Sequence, residues 1–160
     1  MREFFLEIEK RITTKEDLIF YLQQIDLAAE LVLKGIKKNT IQKLKGKISK
    51  ELVDILAKSE KRKEEKLKIS EQQIFFLELL KEHLLSLPQV KMEIAFSPDD
   101  KTILKISHWL EKELAKKIIL DLKVNSRIVG GAIVEYKGKL IDFSLVKEIK
   151  KMKLKTSQEK

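Results

Sequence analysis

The spacing of apolar residues changes at Pro88, and this change restricts the chain to a fold with two kinds of secondary structure. Before Pro88, apolar residues recur every three or four positions, which is the period of an amphipathic helix. Beyond it, apolar and mostly polar residues alternate as in a half-buried strand, with Val90, Met92, Ile94 and Phe96 on the apolar side. The pattern predicts an α+β protein, in which an N-terminal helical bundle precedes a small α/β domain.

Helix-capping and helix-breaking residues divide the N-terminal region into several helices. Two capping boxes are present, Thr13-x-x-Glu16 and Ser70-x-x-Gln73, and Ser49 is a further helix cap. Two glycines, Gly35 and Gly46, are expected to end or interrupt helices. The helix that follows Ser70 and runs to Leu87 has more apolar residues than one stripe requires. We therefore expect it to lie in the centre of the bundle or under a partner, and the bundle core is favoured.

The C-terminal region is predicted to have the order β-α-β-β-β-α. Strands are expected over residues 90–96, 118–124, 127–137 and 139–143. The domains are then residues 1–87 for the helical bundle, residues 88–153 for the α/β domain and residues 154–160 for a flexible basic tail.

Three local signals place the turns and helix starts of this region. Ser97-Pro98-Asp99-Asp100 supplies a helix cap, a proline suited to the first helical position and acids near the positive helix end. Lys137-Gly138 is predicted to form a tight hairpin turn, because glycine tolerates positive φ. Ser144 is expected to cap the last helix.

The net charge of +9 raises nucleic acid and anionic membranes as candidate partners. However, only four of the 34 basic residues are arginine, which forms bidentate contacts with phosphate and guanine. Basic residues are also interspersed with acids, as over residues 60–66, which is typical of solvated helix faces. We therefore expect no nucleic-acid partner, although the lysine-rich tail leaves a basic nucleic-acid-binding protein as an alternative.

The sequence offers few groups for catalysis. The absence of cysteine excludes disulfides, thiolate catalysis and cysteine-ligated metals from this chain, and its two histidines, His83 and His108, are far apart. No nucleotide-binding P-loop motif is present. We therefore predict a protein that is not an enzyme and that has no metal, cofactor or catalytic residue.

No segment is apolar enough to cross a bilayer. The longest nearly apolar stretch, residues 74–80, is about a third of the ~20 residues that a spanning helix needs. The first ten residues contain three acids where a signal peptide needs an apolar core. The expectation is a soluble intracellular protein without direct membrane insertion.

Gly130-Gly131 is the most unusual local feature, because glycine weakens a strand unless the backbone requires it. The pair lacks the spacing and the following helix of a phosphate-binding loop. We interpret it as a bulge or as a tight crossing against the helix that starts near Ser97.

The C-terminal segments 126–136 and 139–149 resemble the ATP synthase delta subunit family, known in mitochondria as the oligomycin sensitivity-conferring protein. Val129-Gly130-Gly131 is similar to a family strand that contains two glycines, and Ile141-Asp142 with Ser144 is similar to the turn that follows it. Phe143 stands where the family usually has glycine. The resemblance is clearest over residues 89–153, and Gly130, Gly131, Asp142 and Ser144 are its motif residues.

The resemblance implies a stator subunit of a rotary F-type ATP synthase, which links the catalytic head to the peripheral stalk and resists rotor torque. The implied partners are the alpha and b subunits, and the implied location is cytoplasmic, peripheral on the inner face of the cell membrane within a complex. The family usually has a six-helix bundle longer than the region before Pro88, so a shortened bundle is expected. Candidate partner-binding residues are Phe75, Phe76, Leu79, Leu80, Leu145, Ile149 and Met152.

The E-type stalk subunit of vacuolar and archaeal ATPases is a related alternative. That family also ends with a Gly-Gly strand and a terminal helix, but it usually begins with one long stalk helix. The breaks near Thr13, Gly35, Gly46 and Ser70 favour several helices instead.

Overall fold

The computed structural model describes residues 2–34, 44–60 and 69–145. The chain divides into two compact units. The first unit contains Met1–Ile12 and Glu16–Leu87, and the second contains Thr13–Lys15 and Pro88–Lys160. Helices come first and a mixed sheet follows, which confirms the predicted α+β class.

Helices α1 (Arg2–Glu9), α2 (Lys15–Leu33), α3 (Lys50–Glu60) and α4 (Ile69–Leu85) belong to the N-terminal part of the chain. Their separation confirms several helices rather than one within the described residues. The predicted breaker Gly35 lies outside those residues, whereas Gly46 lies in the connection before α3 with a φ of +80°.

Ser49 caps α3 as predicted, since its Oγ accepts a hydrogen bond from the Leu52 amide at 3.4 Å. The Ser49 amide in turn donates to the side-chain oxygen of Gln24 on α2 at 2.9 Å. Apolar residues from all four helices are buried in the first unit, among them Ile8, Ile25, Leu52, Ile55, Leu56, Leu77, Leu80 and Leu84. Helix α4 packs against α3, and α1 contacts both.

Aromatic contacts bind α1 to α4. The rings of Phe4 and Phe5 lie 6.2 and 5.7 Å from the ring of Phe76, measured between centroids. Phe5 also stacks on His83 at 5.1 Å, and His83 Nε2 lies 3.1 Å from the carboxylate of the buried Glu9. The wide apolar surface of α4 is therefore covered largely within the chain, as the bundle-core prediction required.

The second unit contains a sheet with strand order β2-β1-β3-β4, formed by β1 (Gln89–Ile94), β2 (Ile119–Val124), β3 (Ala132–Tyr136) and β4 (Lys139–Asp142). Strand β1 runs parallel to β2 and antiparallel to β3, and β3 pairs antiparallel with β4. Helix α5 (Asp100–Leu114) connects the two parallel strands, because a parallel pair needs a crossover connection.

Helix α5 covers one face of the sheet. Val90 and Met92 of β1 and Leu120 of β2 form a buried cluster with Leu110 and Ile118. Ile103, Ile106 and Leu114 of α5 pack against that cluster. The apolar helical face and the alternating strands predicted from the sequence therefore meet in one core.

A short segment near the N-terminus lies beside β2. The Leu120 amide donates to the Thr13 carbonyl oxygen at 2.9 Å, and Thr14 forms a parallel bridge with Leu120. Lys15 Nζ lies 2.7 Å from Asp121 Oδ2. Helix α2 begins at Lys15, one residue later than a cap at Thr13 would place it, and the Thr13 carbonyl oxygen takes part in the pairing with β2.

Several predicted boundaries are wrong by a few residues. Strand β1 ends at Ile94, and Phe96 beyond it is 70% exposed. Strand β3 begins at Ala132 rather than at residue 127, so Gly130-Gly131 precedes the strand. The predicted Lys137-Gly138 turn is confirmed, with φ values of +49° and +74°.

Asp99, rather than Ser97, caps α5. Its Oδ1 accepts a hydrogen bond from the Thr102 amide at 2.9 Å, and Pro98 lies outside the helix. Hydrogen bonding from Thr102 lowers the pKa of the Asp99 carboxyl. Because this pKa is lower in the folded state than in the unfolded state, the carboxylate stabilises the fold above the unfolded pKa and loses that effect as the pH falls through the folded value.

We expect Asp99→Ala to lower the Tm of the second unit by about 3–5 °C at neutral pH, because the first turn of α5 loses its cap. The difference from the unmodified chain should begin to shrink as the pH falls below about 4, where the unfolded state takes up its proton, and should be lost as the pH passes the lower pKa of the folded state. Asp99→Asn keeps an acceptor oxygen and serves as the control, with a Tm close to the original. Thermal melts followed by fluorescence of Trp109, the single tryptophan, measure both effects, and an unchanged Tm for Asp99→Ala at neutral pH would contradict the capping role.

Candidate functional site

The four motif residues lie together where the chain returns past β3. The Phe143 amide donates to the Ala132 carbonyl oxygen at 2.8 Å, and the Leu145 amide donates to the Gly130 carbonyl oxygen at 2.9 Å. These two bonds continue the β3–β4 pairing beyond the end of β4. We call residues 130–132 with residues 142–145 the glycine crossing.

Gly131 is the residue that allows this approach. Its φ is +83°, and a Cβ built on it would lie 2.3 Å from the Phe143 carbonyl oxygen, far inside any normal contact. At Gly130 the corresponding position is 2.7 Å from a terminal methyl of Leu145, which is a flexible side chain. The backbone contact at Gly131 is therefore the stricter of the two constraints.

The glycine pair was expected to form a bulge or to cross the helix after Ser97, and the structure corrects the partner of this crossing. The atoms that crowd Gly131 belong to the Phe143–Ser144 backbone rather than to α5. The cause is the β3–β4 register, in which Ile133 faces Asp142 and the next residues continue the pairing past the strand ends. This register follows from the two-residue turn at Lys137-Gly138, and the glycine pair by itself does not reveal it.

Asp142 and Ser144 hold the turn that follows β4. Asp142 Oδ1 accepts a hydrogen bond from the Ser144 amide at 2.8 Å, which is a side-chain turn typical of aspartate, and Ser144 is buried. Phe143 between them is exposed and is not among the described residues with positive φ. This chain therefore needs no glycine at position 143.

On α4, the four candidate partner-binding residues point to different environments. Phe76 and Leu80 lie in the core of the first unit, so the expectation that they contribute directly to a binding surface is corrected. They are buried because α1 and α3 pack on that side of the helix. Phe75 is 53% exposed, and Leu79 is partly exposed.

After the glycine crossing, the candidate residue Leu145 is 51% exposed. Ile149 and Met152 lie outside the described residues, as do the rest of the predicted terminal helix and the basic tail 154–160. Leu145 therefore remains the described member of this candidate surface.

The face of the sheet opposite α5 bears an open groove of about 410 Å³ lined largely by charged side chains. Two of the acids that line it form ion pairs, since Asp121 Oδ2 lies 2.7 Å from Lys15 Nζ and Glu135 Oε1 lies 3.6 Å from Lys91 Nζ. In the described residues, no group of three or more histidines, aspartates and glutamates is arranged to hold a metal ion. None of the helices there is long and apolar enough to span a membrane.

Several exposed apolar residues of the second unit were not among the residues that the sequence predicted to bind a partner. Trp109 on α5 is 55% exposed, and Leu140 and Ile141 of β4 are also exposed. Residues 104 and 109 fall outside the apolar stripe of α5. A side chain outside that stripe is expected to be exposed, so the helical spacing could have predicted the exposure of Trp109.

We expect Gly131→Ala to destabilise the second unit by about 3 kcal/mol or more, because the new Cβ meets the Phe143 backbone at an unfavourable φ. Gly138→Ala is the matched control, since it has the same kind of positive φ but no atom within 4 Å of the added carbon. It should cost only about 1–2 kcal/mol. Urea denaturation followed by Trp109 emission compares the two, and equal losses would show that the close approach has no effect of its own.

Comparison with known proteins gives the chain a family. The family model described as ATP synthase delta (OSCP) subunit matches residues 4–155. The ATP synthase subunit delta of Persephonella marina is 37% identical over 65 residues, a match that spans 39% of this chain and 36% of that relative. Because the family model extends over both units, the chain belongs to the ATP synthase delta (OSCP) subunit family.

Proposed function

We propose that this chain is a non-catalytic stalk subunit of a rotary F-type ATP synthase. In this role it links the catalytic head to the peripheral stalk and resists the torque of the rotor. The observation that carries the proposal is the family match over residues 4–155, which includes the helical unit as well as the glycine crossing. The ATP synthase delta relative from Persephonella marina supports the same assignment.

The geometry suits a passive link between other proteins. Each unit has its own buried core and also exposes large apolar residues, such as Phe75 on α4 and Leu145 after the glycine crossing. Exposed apolar side chains with a polar surround are what a groove for an amphipathic helix requires. Such a role needs tight protein contacts and no reacting group, so we propose that the chain is not an enzyme.

The two units are proposed to bind different subunits. The helical unit would engage the alpha subunit through the exposed side of α4, at Phe75 and Leu79. The second unit would engage the b subunit through Leu145, together with Ile149 and Met152. The complex would hold the chain as a peripheral protein on the inner face of the cell membrane.

The E-type stalk alternative receives no support from the helices. That family usually begins with one long helix, whereas α1 here ends at Glu9 and α2 begins at Lys15. We therefore propose the F-type assignment alone.

We expect a tagged copy of the chain, expressed in its own cells, to recover both the alpha and the b subunits from detergent-solubilised membranes. Mass spectrometry of the eluate identifies the recovered subunits. Recovery of neither subunit, under conditions that preserve ATP synthase, would overturn the proposal. A tag alone, expressed in the same cells, is the control for nonspecific retention.

Charge substitutions at Phe75 and at Leu145 should each weaken the binding of a different partner subunit. We expect Phe75→Glu to reduce alpha recovery about fivefold or more and to leave b recovery unchanged, because a charge would enter an apolar contact. Leu145→Glu should do the reverse. The matched control is Ile19→Glu on α2, where the side chain is similarly exposed at 46%, and its recoveries should stay within about twofold of the original.

The buried neighbour Leu80 tests the distinction between core and surface. We expect Leu80→Ala to lower the stability of the first unit by about 2–5 kcal/mol, because it leaves a cavity at a fully buried position. Phe75→Ala should change stability by less than about 1 kcal/mol, since that side chain is exposed. Chemical denaturation followed by circular dichroism compares them, and a stable Leu80→Ala variant would contradict the core assignment.

A further inference from the structure

We propose that the outer face of α5 is a docking surface for an acidic amphipathic helix of a partner protein. Lys101, Lys105, His108 and Lys112 follow one another along this helix at intervals of four, three and four residues. This spacing places them on one side of the helix over about 16 Å. All four side chains are exposed, and we call them the basic stripe.

The basic stripe faces away from the sheet. The opposite side of α5 packs on the sheet through Ile103, Ile106, Leu110 and Leu114. Because that side holds the helix in place, the stripe is presented on a fixed support. A fixed support lowers the entropy that a binding surface loses when a partner docks.

The charge of the stripe is not balanced by its neighbours. Among the described residues, none forms an ion pair with Lys101, Lys105 or Lys112. At 100° per residue, Asp100 and Glu113 lie about 80° or more from each member of the stripe, and Glu111 lies about 60° from His108. One of them, Glu111, already pairs with Lys117 at 2.8 Å.

Some lysines of the unit are paired, in contrast to those of the stripe. Lys15 and Lys91 each have a carboxylate partner within 4 Å, whereas Lys123, like the stripe, has no ion pair among the described residues. A row of like charges three or four residues apart lowers helix stability slightly. An acidic partner would remove that repulsion and complete the missing pairs.

Two apolar side chains flank the stripe. Leu104 lies on one side and is 46% exposed, and Trp109 lies on the other side and is 55% exposed. Tryptophan is enriched at the energetic centres of protein interfaces, where it buries a large ring. The outer face of α5 thus combines the basic stripe with an exposed apolar side chain on each side of it.

A helix is the occupant that matches this arrangement. Acids spaced by three and four residues on a partner helix would recur at the same distances as the stripe, and apolar residues beside them would meet Leu104 and Trp109. Nucleic acid fits less well, because α5 contains no arginine, the residue suited to bidentate phosphate contacts. A lipid surface fits less well too, because the apolar face of α5 is committed to the sheet.

The intrinsic fluorescence of Trp109 provides a direct test, since it is the only tryptophan in the chain. The probe is a synthetic helical peptide with glutamates at three- and four-residue spacing and leucines beside them. We expect its addition to shift the Trp109 emission to shorter wavelength and to reduce quenching by acrylamide. A peptide of the same composition in scrambled order, which cannot place its acids on one face, should bind about tenfold more weakly.

A pair of charge-reversal variants tests the role of the stripe. Lys101→Glu with Lys105→Glu should weaken peptide binding about tenfold or more, and acids near the start of α5 favour the helix, so the fold should persist. The control is Lys47→Glu with Lys50→Glu, two exposed lysines of the first unit that change the net charge equally. Its affinity should stay within about twofold of the original.

Four results would overturn the proposal: an unchanged Trp109 spectrum with the peptide, equal binding of the scrambled peptide, equal losses in the two variants, or a response only to other anions. The last case uses vesicles of phosphatidylglycerol and phosphatidylcholine and a single-stranded oligonucleotide in place of the peptide. The test measures only whether the outer face of α5 binds an acidic amphipathic helix. Its outcome is therefore independent of whether alpha and b subunits are recovered with the chain.

Discussion

Strand β1 is the element on which the second unit depends. It is hydrogen-bonded along both edges, to a parallel strand on one side and an antiparallel strand on the other, while Val90 and Met92 on one face are buried beneath α5. The parallel neighbour requires a crossover, and α5 is that crossover. The position of α5, and with it the outward direction of the basic stripe, therefore follows from the pairing of one short strand. Because a unit of this size buries a modest core, each of these contacts represents a large share of its stability.

The glycine crossing determines how the sheet ends. Past β4 the chain stays bonded to the residues before β3, and a side chain at Gly131 would block this path. The Asp142 carboxylate fixes the following turn, and the buried Ser144 anchors it. Such closure gives the end of the sheet a defined backbone path immediately before Leu145. The glycine crossing is fixed both by backbone hydrogen bonds and by the side chain of Asp142. For a subunit proposed to transmit load, a segment fixed in this way is suited to support a partner-binding residue such as Leu145.

Periodicity predicted the class, the order of β1, α5, β2, β3 and β4, and the residues of the α5 core, because side-chain burial repeats locally in helices and strands. The exact first and last residues of the helices and strands were less predictable, since neighbouring residues can each serve as the helix cap. Ser97 and Asp99 both suit a cap, and only the geometry of the Thr102 amide selects Asp99. The partner of the glycine pair could not be read from the pair itself, because the turn at Lys137-Gly138 sets the register that brings Gly131 to the Phe143–Ser144 backbone. Phe76 and Leu80 resembled surface candidates until the packing of α1 and α3 placed them inside, because contacts between helices join residues far apart in sequence.

The pairing of Thr13–Lys15 with β2 has a consequence for the order in which the molecule is completed. Lys15 and Asp121 are 106 positions apart, so the stretch that closes this side of the sheet is synthesised long before the strand that it joins. The sheet therefore forms only after its four strands have been synthesised, although the segment Thr13–Lys15 that pairs with β2 is already present. A fragment cut at Pro88 would likewise carry an uncovered border along β2, with unpaired backbone groups that favour association between copies. The C-terminal portion is thus complete only as part of a chain that includes its distant N-terminal neighbours.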